Sequence, residues 1–114
     1  MTNLVELPDK LTVRVNVTQK DIDTNRHSAL TCPVAIALKR AVHNKGYTNT
    51  TTSVYEQLLV HVAHEGRFID HGATTPPRVL NWIKYYDSLQ WQPWLDSATP
   101  IRFRATLVKD YVRG

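Results

Sequence analysis

Strict alternation marks residues 11–17, Leu-Thr-Val-Arg-Val-Asn-Val. Leu11, Val13, Val15 and Val17 fall on one side, Thr12, Arg14 and Asn16 on the other. Side chains of a strand point alternately to its two faces, so this predicts a half-buried strand. The pattern then dissolves into Thr, Asp, Asn and Ser over residues 18–31, a loop with one helical turn at Gln19–Thr24. At Cys32 the period becomes helical: Val34, Leu38, Ala41 and Val42 stand at i, i+4, i+7 and i+8. The helix runs over residues 32–44, with Thr31 or Cys32 as its cap and Pro33 in the first turn. Lys39, Arg40, His43 and Lys45 crowd its end, where positive charge suits the helix dipole, and Gly46 stops it.

Residues 52–63 fit two periods. Val54, Tyr55, Leu58, Leu59 and Val62 make a helical stripe, whereas Val54, Leu58, Val60 and Val62 make one face of a strand. The run of threonines before them and the β-branched content favour one strand, turning at Glu65–Gly66 into a return strand over 67–71. Thr75 then caps a second helix with Pro76 in its first position. Val79, Leu80, Ile83 and Tyr86 face inward, Trp82 lies at the margin, and the helix closes near Leu89. A tryptophan-bearing loop over 90–99 leads to a last strand, 101–108, with Ile101, Phe103, Ala105 and Leu107 on one side. The order β-α-β-β-α-β predicts a single α+β domain over residues 1–114. Its antiparallel sheet is covered by two helices, ferredoxin-like or similar.

Composition narrows the class. A chain of 114 residues, 42% hydrophobic, can bury one core without staples. One cysteine excludes an internal disulfide framework and any multi-cysteine zinc site. No apolar run approaches the ~20 residues that span a bilayer, and the first residues lack a signal-peptide pattern. The expectation is a soluble, cytoplasmic protein. Fourteen Lys and Arg against ten Asp and Glu leave a net charge of +4, which suits an acidic partner such as nucleic acid, a phosphorylated metabolite or an acidic protein. The basic residues are scattered, with Lys39–Arg40 one adjacent pair inside the helix.

Candidate chemistry gathers before the first helix. Its amide groups can hold an anion, with Arg26 and His27 closing over it and Thr31 and Cys32 adding a hydroxyl and a thiol. The competing account is a helix capped by its own loop, with Arg26 paired to Asp21 or Asp23. Cys32 could be a nucleophile with His27 as base, but no third member or oxyanion site is recognisable, and a packed thiol explains it better. Asp21 and Asp23 at a strand exit read as local caps rather than an acid–base pair. His61, His64 and His71 surround the hairpin, yet His61-Val62-Ala63-His64-Glu65 is not the zincin order, and no metal or cofactor is expected. Trp91 and Trp94, in a loop, are not expected to be wholly buried and could cover the sheet edge, form a subunit contact or stack on a base or ligand. With Lys39 and Arg40 they are the candidate partner contacts.

The segment Thr18-x-x-Asp21-Ile22-Asp23, followed by Cys32-Pro33-Val34-Ala35-Ile36-Ala37, resembles a motif of small uncharacterised proteins of tailed bacteriophages and prophages. The Pro-initiated helix and final strand also fit that pattern. The resemblance implies a non-enzymatic binding protein, self-associating, that interferes with a process of the bacterial host, plausibly antiviral defence. It would act by occupying a host protein surface or by sequestering a phosphorylated small molecule. The alternative is a small nucleic-acid-binding module whose basic sheet face carries Arg14, Arg102 and Arg104.

Overall fold

The computed structural model describes residues 9–24, 27–64 and 67–109. Five strands and three helices follow one another as β1 (Lys10–Val17), α1 (Gln19–Asp23), α2 (Pro33–His43), β2 (Thr50–Val54), β3 (Gln57–His64), β4 (Arg67–Thr74), α3 (Pro77–Ser88) and β5 (Ile101–Lys109). The strands form one antiparallel sheet in the order β1-β5-β4-β3-β2.

Local chemistry accounts for most of these elements. The alternation in β1 holds, with Leu11, Val13, Val15 and Val17 buried and the residues between them exposed. Thr18 and Asp21 form a reciprocal capping box that starts α1: each side chain accepts a hydrogen bond from the other's backbone N–H. Cys32 caps α2, Pro33 opens it, and all four residues of the predicted stripe are buried. Gly46 follows at φ +102°, a conformation that glycine adopts without a steric penalty.

Three expectations are corrected. The stretch read as one strand over 52–63 is a hairpin: β2 folds back at Glu56 and pairs Val54 with Leu58 and Thr52 with Val60. Val54 and Leu58 therefore face each other on the inner side, as do Thr52 and Val60. Tyr-Glu-Gln at the reversal contains none of the residues that announce a tight turn, so the pattern ran through it unbroken. The return turn at Glu65–Gly66 lies outside the described residues, and the strand beyond it extends to Thr74. The second predicted helix begins at Pro77 rather than Pro76, and Thr75 is not its cap; Pro76 holds that position without a side-chain bond.

The third correction is topological. A ferredoxin-like sandwich has four strands and sets the first inside the sheet, between two neighbours. Here the described residues form five, and β1 is an edge strand bound to β5. The sheet curls so that α2 packs against both edge strands, β1 and β2. Thr52 Oγ1 donates to the Ala35 carbonyl at 2.8 Å on one side of the helix, and Arg40 donates to the Asn16 carbonyl at 2.7 Å on the other. The small residues Ala35, Ala37 and Ala41 are buried, which lets backbones approach this closely. The core joins α2, Ile22 of α1 and the inner side of α3 (Val79, Ile83, Tyr86) to the inner faces of β1, β2, β3 and β5.

Candidate functional site

The start of α2 is closed by its own chain. Cys32 Sγ accepts the Ala35 N–H at 3.4 Å, and Cys32 N–H donates to the Ser28 carbonyl at 2.7 Å. Thr31, expected to face an anion, has its hydroxyl 2.9 Å from that of Ser28. Val54 N–H donates to Ala29 at 2.9 Å and ties the loop to β2. Burial pushes the Cys32 thiol up, and the Asp87 carboxylate adds to this, against the lowering pull of the Val34 and Ala35 amides. The buried sulfur is therefore a protonated cap at neutral pH.

A cavity of about 160 Å³ sits beside this cap, lined by His27, Ser28, Ala29, Cys32, Val54, Tyr55, Ile83 and Asp87. His27 Nδ1 lies 3.3 Å from Asp87 Oδ1, and its ring stacks on Tyr86 at 4.6 Å between centroids. Tyr86 stacks in turn on Trp82 at 5.4 Å. His27 and Cys32 both line this cavity, while Arg26 lies outside the described residues. Asp87 was not foreseen, because it stands 60 residues from His27 in the chain. Its carboxylate occupies the wall that a phosphate would need, and this places negative charge where the anion reading requires positive.

The charged pair on α2 divides. Lys39 is exposed to solvent. Arg40 is committed to the fold: its guanidinium donates to both Asp21 oxygens, at 3.0 and 2.7 Å, and to the Asn16 carbonyl. Asp21, only 6% exposed at its side chain, is thereby paired and hydrogen-bonded at once. Burial alone would raise its pKa; the bonds from Arg40 and Thr18 outweigh that and hold the carboxyl below its usual value. The same pairing raises Arg40. Asp21 is thus a cap, and Arg40, a candidate partner contact, is tied into the fold through it.

Among the described residues, no three His, Cys, Asp or Glu side chains converge on a metal-sized space. His61 is exposed and pairs with Asp70 across β3 and β4, whereas His71 is buried on the inner face. No described helix is long and apolar enough to cross a membrane.

The tryptophans of the 90–99 loop stand out. Trp91 is 74% and Trp94 76% exposed, with Leu95 and Tyr85 partly exposed beside them. The loop itself is well tied. Trp82 Nε1 donates to the Thr99 carbonyl at 2.7 Å, Tyr85 donates its hydroxyl to the Asp96 carbonyl, and Trp91 N–H donates to Ser88 at 3.0 Å. The segment therefore runs back along α3, and its two large indoles project from an anchored backbone.

Comparison with protein-family models, curated proteins and solved structures finds no match to this chain.

Proposed function

We propose that this chain is a binding protein that acts by occupying a partner's surface, with Trp91 and Trp94 as its anchors. One observation carries the reading: two indoles, each about three-quarters exposed, stand on a loop whose backbone is already fixed by hydrogen bonds to α3. Exposed aromatic residues supply much of the energy of protein contacts, and an ordered loop keeps the entropy cost of docking low. Leu30 and Tyr55, also exposed, flank the loop and hairpin at the start of α2, the end of the molecule where Asp87 and the last turn of α3 lie.

Between the two mechanisms that the phage resemblance suggests, occupancy of a protein surface is favoured over sequestration of a phosphorylated molecule. The start of α2 is satisfied by Cys32 and Ser28 and faces Asp87, which leaves little for an anion to gain. The setting we infer is interference with a process of the bacterial host, inside the cell, by a chain that also self-associates.

The test is affinity capture from bacterial lysate with wild type and the double variant Trp91→Ala/Trp94→Ala side by side. Near-UV circular dichroism and the unfolding midpoint report whether the fold is kept. The reading expects a protein recovered by wild type and reduced at least ~10-fold by the variant, the scale of two lost anchors. Equal recovery by both would refute it. Sedimentation at rising concentration separates self-association through the same loop from capture of a host partner.

A further inference from the structure

The outer face of the β1–β5 pair carries charge that the rest of the fold leaves unanswered. Arg14 lies directly opposite Arg104, Asn16 opposite Arg102, and Thr12 opposite Thr106, whose hydroxyls are 3.1 Å apart. All six residues are exposed. Like charges directly opposite each other on one face weaken a sheet. Among the described residues Arg40 pairs with Asp21, while His27 and His61 lie within reach of Asp87 and Asp70, and none of these contacts involves the three arginines.

The backbone gives this charge a shape. β4 pairs with β5 through His71–Lys109 and Gly72–Val108, at the far end of β5. Over residues 101–105, β5 therefore has β1 as its ladder partner and the two make a two-stranded ribbon. Val13, Val15, Val17 and Phe103 root its inner side in the core. One more cationic group stands at its flank: Arg78 donates to the Arg102 carbonyl at 2.7 Å. A surface groove of about 380 Å³ lies at the ribbon's end, lined by Asn16, Val17, Thr18, Pro100 and Arg102.

The major groove of B-form DNA admits a two-stranded ribbon, and its walls are phosphates. From this match of charge and shape we propose that the outer face of the β1–β5 ribbon binds duplex DNA, with Arg14, Arg102 and Arg104 meeting the phosphates. The surface is separate from the tryptophan loop: Arg78 opens α3 beside the ribbon, and Trp91 lies beyond the helix's other end, ~20 Å along its axis. Its failure would leave the role of Trp91 and Trp94 untouched.

Fluorescence anisotropy tests the proposal with a labelled duplex, its single strand and polyglutamate as competitor. Three phosphate contacts predict a log–log salt slope of about −2.7, so affinity falls about 40-fold between roughly 50 and 200 mM salt. Arg104→Thr should remove about a third of that slope. Because it also relieves the repulsion with Arg14, its urea midpoint should rise while binding falls, which separates lost contact from lost fold. Lys84→Ala, an equal loss of charge on the exposed side of α3, should leave the slope unchanged. The proposal is overturned if the duplex does not bind at the lower salt, or if Lys84→Ala weakens binding as much as Arg104→Thr. Tighter binding of the single strand, or competition by polyglutamate as strong as by DNA, overturns it equally.

Discussion

Asp21 and Arg40 show how one ion pair holds three pieces of chain together. The carboxylate caps α1, the guanidinium grips it from α2, and the same guanidinium reaches the end of β1. Arg40→Met would leave Asp21 buried without its cation. For a fully buried pair that costs ~3–5 kcal/mol, and because Arg40 is 42% exposed the expected loss is smaller, about 2 kcal/mol, read from urea unfolding. The pH dependence follows from the lowered carboxyl. Its stabilisation is complete above the unfolded-state value of about 4 and is lost as pH falls through the lowered folded value. Wild type should therefore lose stability on acidification below about pH 4, while Arg40→Met, in which burial raises Asp21, shows a flat or reversed trend. A second residue-level prediction concerns Cys32. Its raised, buried thiol should stay unmodified by a thiol reagent at neutral pH until the chain unfolds, and rapid labelling of the native protein would contradict the capping role. The capping roles of Asp21 and Cys32 were legible in the sequence because a cap acts within three residues. The tie of Arg40 to Asp21 was not legible, because the two lie 19 residues apart and adjacency to Lys39 suggested a surface patch.

Helices and strands were legible where periodicity is strong. The stripe of α2 and the alternations of β1 and β5 all face the core as expected. The stop at Gly46 supplies the element-scale prediction. A methyl group there would meet no atom within 4 Å, so Gly46→Ala costs only the backbone strain of φ +102°, about 1–2 kcal/mol, and Gly46→Asn less. Equal stability of Gly46→Ala and wild type would show that α2 ends for another reason. The hairpin reversal at Glu56 was illegible for a physical reason. Val54 and Leu58 keep the same parity whether the chain runs straight or folds back, so alternation cannot tell the two apart. Strand order was hidden as well. Pairing β1 with β5 joins residues about ninety positions apart, and local pattern carries no record of it.

At the scale of the whole molecule, a curled sheet closes around one small-residue helix and turns its arginine-bearing face outward, while a pinned loop lifts two tryptophans at the end of α3. The exposure of Trp91 and Trp94 was expected from their place in a loop, though packing against the core or a second copy was as open as a partner contact. The loop's anchoring to α3 through Trp82 and Tyr85 was not expected, since it depends on the chain running back along the helix. The central claim is that Trp91 and Trp94 meet a partner, and site-specific photocrosslinking tests it most directly. A benzophenone amino acid is placed at position 94 in one chain and at position 44, the exposed C-cap at the far end of α2, in another, and both are irradiated in bacterial cells. The account predicts one discrete crosslinked protein from position 94 and none from position 44. No adduct at position 94, or the same adducts from both positions, would contradict it.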